Sequence, residues 1–340
     1  MTRDAGQAAL AGTRVLVTGA AGMIGANLTH RLVSEGAEVA VLLRPGTNGI
    51  RLEPVQHAVE VHEADLTQAE TVRAIIMGIK PEVVFHLAST IWGKQPPVNN
   101  EMHVRVNILG TVHVLEALRS IPTARIVFTD SCAAYGEGSK LEEGMRPTPG
   151  TIYGASKASA TIFMQTYARL YGLRSITLRL FMPYGPWEHP ARLIPHTILS
   201  ALAGRDVPMT LGHQQRDPIY IDDVVDALLL AATKRVAPGS LFNIGSGVGV
   251  PVKDVVGLIL RLMGNPVKSL LGAVPMRPDE ILTLSADIGS AKTVLGWRPR
   301  TSLEDGLRKS IAWFTEHREL VSRLAQRQSE SVRDTVGAPP

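Results

Sequence analysis

The sequence predicts an α/β fold, a Rossmann-type doubly wound parallel sheet with a smaller mixed C-terminal lobe. Three observations predict it. Short β-branched runs alternate with helical stretches through the first 180 residues, as in a parallel sheet covered on both faces. The first run ends in T-G-A-A-G-M-I-G, Thr18 to Gly25, and leads straight into a helical pattern. After about Phe181 prolines gather at Pro183, Pro186, Pro190 and Pro195, and segments become short and mixed.

In order along the chain, Arg14 to Thr18 is a β-branched run closed by glycine and reads as a buried strand. Ala26 to Glu35 has helical spacing and stops at Gly36, a suitable C-terminal cap. Glu38 to Leu43 and Val59 to Glu63 predict strands, Thr67 to Ile79 a helix, and Val83 to Leu87 a fourth strand. Asn99 to Leu118 predicts a long helix, Arg125 to Thr129 a strand, Tyr153 to Leu170 a helix and Ser175 to Leu180 a strand. Leu241 to Ile244 is expected to rejoin the sheet. The expected division is a dinucleotide-binding core with the catalytic residues at 13–180 and a mainly substrate-binding lobe at 181–318, with strand and helix returning to the core. Flexible tails are expected at 1–12 and 321–340.

Composition narrows the function. With 340 residues and 45% hydrophobic content, a packed interior is assured. Cys132 is the single cysteine, so no intramolecular disulfide forms, and a reducing cytoplasmic location is expected. Met1 to Gly12 lacks the apolar core of a signal peptide, and the best apolar helical candidate, Val224 to Ala232, is too short to span a bilayer. Net charge is +4, from 35 basic and 31 acidic residues, without a basic block. Nucleic-acid and membrane partners are therefore not expected, nor is a bound metal.

Gly19, Gly22 and Gly25 lie three apart between a strand and a helix. Such glycines let a pyrophosphate approach the backbone, and the helix start at Met23 and Ile24 offers free N–H groups. The second strand ends in V-L-L-R-P-G-T, with Arg44 where NAD sites place an acid for the ribose diol. Arg44 suits a 2′-phosphate, so NADP(H) is expected over NAD(H); the alternative is a solvated loop arginine. Asp65 follows the third strand and faces either an adenine amino group or the next helix start. Leu66, Leu87 and Ala88 complete the expected cofactor contacts.

Tyr153 and Lys157 are four residues apart and project from one helix face. A free tyrosine titrates at about 10, and an adjacent ammonium lowers that value by favouring the phenolate. The lysine is also placed to bond the nicotinamide ribose.

These segments, with V-F-H-L-A-S (Val84 to Ser89), N-I-L-G-T (Asn107 to Thr111), V-F-T-D-S-C-A-A-Y-G (Val127 to Gly136), Y-G-A-S-K, L-R-L-F-M-P-Y-G-P, R-D-P-I-Y-I-D-D, F-N-I-G-S-G, R-P-D-E and L-G-W-R-P, carry a resemblance. From Arg14 to Phe314 the chain resembles an extended short-chain dehydrogenase/reductase of the nucleotide-sugar epimerase/dehydratase/reductase group. The resemblance implies that Ser131 bonds the reacting oxygen, completing a catalytic set with Tyr153 and Lys157. Similar dehydratases carry an Asp-Glu pair at the positions of Cys132 and Ala133, so 4,6-dehydration is not expected. Cys132 reads as a small apolar residue.

On the substrate side the resemblance implies contacts from Ser89, Ser131, Cys132 and Met182, with Arg216 and Arg277 gripping a nucleotide-sugar pyrophosphate; arginine's planar fork suits phosphate oxygens. Structural salt bridges are the alternative for both arginines. Met182 replaces the asparagine usual in this group. Trp92, Trp187 and His189 border the substrate in such folds, with packing the expected role; Asn107 is expected to prop backbone near the site. Asp222 and Asp223 read as helix caps. The leading expectation is NADP(H)-dependent reduction of the 4-keto group of a nucleotide-linked sugar. The rival is a 4-epimerase of the UDP-glucose/galactose type with tightly bound NAD(P). A reductase of a non-nucleotide ketone and a non-enzymatic dinucleotide sensor remain further alternatives. The resemblance also implies a homodimer paired through Asn99 to Leu118 and Tyr153 to Leu170.

Overall fold

The computed structural model of the chain describes residues 10–90, 100–277 and 280–324. A seven-stranded parallel sheet forms its centre, from β1 (Arg14–Thr18), β2 (Glu38–Leu43), β3 (Val59–Glu63), β4 (Val83–His86), β5 (Arg125–Ser131), β6 (Arg174–Leu180) and β7 (Ser240–Ile244). Their order is β7-β6-β5-β4-β1-β2-β3. β1 pairs with β2 on one side, Val15 opposite Val39, and with β4 on the other, Val15 opposite Val83. Val15, Leu16 and Val17 are fully buried, because helices cover both faces and a continuous apolar run can face either way.

On one face pack α1 (Met23–Ser34) and a helix returning from the second half, Ile221–Thr233. On the other lie α2 (Ala69–Ile79), α3 (residues 100–118) and α4 (Ile152–Tyr171). We number the later helices α5 (Leu193–Leu202), α6 (Ile221–Thr233), α7 (Val252–Leu262) and α8 (Leu303–Glu316). Strand order reverses between β1 and β4, and a crevice at the carboxyl ends of a parallel sheet opens at such a switch point. The smaller lobe has its own core of Ala201, Val207, Met209, Val252, Val256 and Leu260.

Three expectations need correction. Neither tail boundary falls where composition placed it. Leu10 is buried and Gly12 N–H donates to Gly36 O at 2.8 Å. Residues 318–324 are helical, with Val321 and Leu324 buried. The long helix α3 is also irregular, passing through a π-helical stretch, His103–Leu109, before the regular turns of Gly110–Leu118. Trp92, Asn99 and the remaining tail residues lie outside the described residues. Among the described residues no helix is long and apolar enough to cross a membrane.

Candidate active site

The glycine turn is held by close approach. Gly19 has φ +74°, and a Cβ there would lie 2.6 Å from Ala88 N; a Cβ on Gly25 would lie 2.2 Å from Gly19 O. Side chains are thus excluded where β1 enters α1 and where the chain leaves β4 at Leu87 and Ala88. α1 begins at Met23 with Gly22 as N-cap, and no side chain caps it. Its first N–H groups and the positive end of its dipole remain available to an anion. This cradle fits the pyrophosphate of a dinucleotide.

A chain of buried hydrogen bonds braces the cradle. Ala88 N–H donates to Thr18 Oγ1 at 3.2 Å, and Thr18 Oγ1 lies 2.7 Å from His86 Nδ1. His86 Nε2 lies 3.0 Å from Thr111 Oγ1, which donates its own proton to Asn107 O. With that proton committed, Thr111 accepts from Nε2–H, so Nδ1 accepts from Thr18. Burial first, and the Lys157 charge second, push His86 down to about 3, which keeps it neutral. In the sequence His86 stands only as the histidine of V-F-H-L-A-S, with no role of its own.

The expected cofactor contacts divide. Arg44 follows the end of β2 and is exposed. Asp65 Oδ1 accepts from Thr67 N and Oγ1 at 2.9 Å and 2.7 Å, favouring the turn-forming role over an adenine contact. Leu66 has its side chain buried beneath α3 against Gly110, and its carbonyl lies 2.7 Å from His113 Nδ1. Arg51, unanticipated, is buried with Nε on Trp187 O at 2.9 Å and Nη1 on Ala21 O at 3.2 Å, joining the cradle to the Pro183–His189 loop.

α4 is docked so that Tyr153 meets the end of β5. Thr151 caps it by accepting from Gly154 N at 3.0 Å. A Cβ on Gly154 would sit 2.2 Å from Ala133 O, so only glycine allows this approach. Burial pushes the Tyr153 phenol up to about 12, opposed by a bond with the Ser131 hydroxyl and by the Arg192 charge. The Lys157 ammonium is buried, 4.1 Å above the Phe128 ring. Burial lowers it to about 8 and Asp130 opposes the fall. The expected lowering of Tyr153 by its neighbour is thus reversed: desolvation outweighs it, and Lys157 is packed on Phe128. The His103 ring lies 6.1 Å from that of Tyr153. Asn107 props the strand exit as expected, Oδ1 accepting from Thr90 N at 2.7 Å and from Ser89 Oγ at 3.1 Å.

On the substrate side the Cys132 thiol meets the Met182 backbone and the Ser131 hydroxyl. Burial raises it to about 11, so it is neutral. Met182 has φ +38°, a left-handed backbone that side chains disfavour, and is partly exposed. Arg216 Nη2 lies 2.5 Å from Glu280 Oε1 and Arg277 Nη2 3.0 Å from Glu280 Oε2, so one carboxylate gathers both arginines. Trp187 is buried against Trp313 and His30, consistent with packing, and His189 Nδ1 accepts from Ala191 N at 3.0 Å. Asp222 and Asp223 are corrections: both lie inside α6 after its N-cap, Tyr220, and neither caps it. Asp223 instead accepts Arg300 N at 2.8 Å and Thr301 N at 3.1 Å, and Asp222 pairs with Lys309. Asp217, unanticipated, accepts from Ser246 N, Gly247 N and Ala286 N and so pins the loop after β7. Among the described residues no cluster of His, Cys, Asp or Glu is grouped to hold a metal.

Comparison with known proteins agrees with this fold. The profile of the NAD dependent epimerase/dehydratase family matches residues 15–245. The chain is 31% identical to the UDP-glucose 4-epimerase of Mycolicibacterium smegmatis over 312 residues, 88% of this chain and 98% of that one. Among solved structures, an epimerase from Methanothermobacter thermautotrophicus superposes with TM-score 0.86 at 30% identity, covering 94% of this chain and 96% of its own. The UDP-glucose 4-epimerase of Thermotoga maritima, solved with UDP-glucose, gives 0.81 at 29% identity, with 89% and 98% covered.

Proposed function

The chain belongs to the NAD dependent epimerase/dehydratase family, and from that premise we propose that it is a nucleotide-sugar 4-epimerase retaining its dinucleotide through the cycle. The observation that carries this reading is the meeting of the Ser131 hydroxyl, at the end of β5, with the Tyr153 hydroxyl on the helix that also carries Lys157, beside a Cys132–Ala133 segment that offers no acid and base for water elimination. The similarity to 4-epimerases over nearly the whole chain favours epimerisation over simple reduction.

Gly19, Gly22, Met23, Ile24 and Gly25 would hold the dinucleotide's pyrophosphate, with Leu87 and Ala88 behind it. When bound, that group supplies the hydride acceptor and donor. The remaining chemistry belongs to side chains. Tyr153 takes the proton of the sugar 4-hydroxyl and returns it to the keto oxygen. Ser131 orients that oxygen, and Lys157, one turn on, stabilises the phenolate. Arg216 and Arg277 hold the diphosphate, while Ser89, Cys132 and Met182 line the sugar side. A 4-keto sugar anchored by its diphosphate and free to turn would present its opposite face to the bound dinucleotide, and return of the hydride there would invert C4 with no net redox change.

A second reading, an NADP(H)-dependent 4-ketoreductase, is supported by Arg44, exposed after β2 where no acid stands for a ribose diol. One preparation separates the two. An epimerase converts UDP-glucose to UDP-galactose without added cofactor, and acid releases a stoichiometric dinucleotide whose mass identifies NAD or NADP. A reductase consumes added NADPH with a 4-keto sugar and carries no retained dinucleotide. Neither turnover nor a dinucleotide would remove both readings. The single cysteine supports a cytoplasmic setting. Exposed Val104 and Leu109 on α3, and Ile162, Phe163 and Leu170 on α4, support a homodimer through these helices.

A further inference from the structure

Asp130 stands immediately before Ser131 on β5 and is 2% exposed. Its carboxylate is divided among the elements that carry the reacting groups. Oδ1 accepts the Ser131 amide at 2.6 Å. Oδ2 accepts the Thr161 hydroxyl at 2.9 Å and Arg179 Nε at 2.7 Å. Tyr153, Lys157 and Thr161 recur at four-residue spacing along α4, so they share a face. Arg179 comes from β6 and packs 4.2 Å over the Tyr135 ring, whose hydroxyl donates to Asn243 on β7. One buried acid thereby joins the serine strand, the tyrosine–lysine helix and the next two strands.

We propose that Asp130 is a positioning residue for the Ser131, Tyr153 and Lys157 set, its buried charge locking α4 against β5 and serving as counter-ion to the Lys157 ammonium. The inference rests on these three being the reacting side chains. A carboxylate serving only as partner to Arg179 would be expected to meet the guanidinium with two parallel bonds. Here only Nε reaches it, and Arg179 Nη1 is buried without a partner. The carboxylate is turned toward Ser131 and Thr161 instead. Other groups near Lys157 do not replace it: His86 from β4 is neutral, Tyr153 on α4 is a phenol, and Phe128 offers only a ring face. Around Tyr153 stand Ser131, neutral Cys132, Arg192 at the start of α5 and His103 of α3. Asp130 opposes the lowering of Lys157 by burial and adds to the raising of Tyr153.

Two variants of the full chain test this: Asp130→Asn, and Asp130→Asn with Arg179→Gln, which leaves no buried guanidinium unpaired. The ε-carbon of ¹³C-labelled Lys157 is followed by NMR against pH, its resonance assigned with Lys157→Met. The midpoint falls by about one pH unit in both variants, and the double variant keeps more of the wild-type Tm than the single. In turnover assays kcat falls with little change in KM, and both limbs of the pH profile move toward acid, because lysine and tyrosine each lose a proton more easily. An unchanged Lys157 midpoint in the double variant overturns the inference, leaving Asp130 a partner of Arg179 alone. A wild-type chain inactive on every nucleotide sugar would instead remove the proposed function, while the titration still decides the charge coupling.

Discussion

Arg216 is held by Glu280, Nη2 to Oε1 at 2.5 Å, and the other carboxylate oxygen of the same acid takes Arg277 at 3.0 Å. The two arginines are 61 residues apart in sequence yet converge on one anion. These are the structural salt bridges that stood as the alternative to a phosphate grip, and the proposed grip on a diphosphate requires the two arginines to turn from Glu280 or to share it. Arg216 is the better buried of the two side chains, 16% exposed against 53% for Arg277. Arg216→Met is therefore expected to raise KM for a UDP-sugar by about 10- to 100-fold, from the loss of a charge-assisted bond of roughly 1.5–3 kcal/mol. Arg277→Met is expected to cost less. Titration calorimetry with UDP and steady-state kinetics check both, with kcat changing less than KM.

Tyr153 meets the Ser131 hydroxyl and is half-buried, so its hydroxyl can be removed without opening a large void. Tyr153→Phe is expected to lower kcat by roughly 10²- to 10⁴-fold, the usual contribution of a positioned proton donor, with Tm and UDP affinity unchanged. Ser131→Ala should fall in the same direction by less, since Ser131 orients rather than transfers the proton. Full activity in the Phe variant would take Tyr153 out of the chemistry.

Local signals carried the sequence reading furthest. The turn from Thr18 to Gly25 is one strand, one loop and one helix in succession, and its glycines are needed for contacts made within that unit and with Ala88. The alternation of apolar runs likewise predicted all seven sheet strands, because each lies buried on both faces or beside one that does. What failed depended on distant partners. Asp223 looked like a cap because it opens an apolar run, but the amides it serves belong to Arg300 and Thr301, 77 and 78 residues later. Nor could the strand before Leu66 show that its side chain packs against Gly110 of α3. Tyr153 and Lys157 share a helix as the spacing promised, yet Lys157 packs on Phe128, and burial, invisible in a spacing, decides the direction of the Tyr153 titration.

The glycines of the cradle should not tolerate alanine equally. A Cβ on Gly25 would lie 2.2 Å from a fixed backbone carbonyl, whereas on Gly22 the nearest atom, Gly19 O, is 3.2 Å away. Gly25→Ala is expected to cost several degrees of Tm and to abolish dinucleotide retention. Gly22→Ala, the milder of the two, should fold and bind more weakly. Differential scanning fluorimetry with and without added NAD measures both terms, and the reverse ranking would refute the close-packing argument.

Glu188 supplies a pH signature away from the reacting groups. Its carboxyl is 8% exposed, and Oε2 has no partner. Burial raises it to about 8, with the Arg192 charge and a backbone bond from the Gly185 region pulling the other way. Because the folded state holds this proton more tightly than the unfolded chain, its contribution is fully present below the unfolded value near 4.5 and is lost progressively as pH rises through about 8. Glu188→Gln keeps the shape and removes the ionisation. The variant should therefore gain on wild type as pH climbs from 5 to 9, by on the order of 2 kcal/mol at the alkaline end. Urea denaturation at a series of pH values measures the difference. Parallel stability curves for the two proteins would mean that the carboxyl finds water or a cation when it ionises.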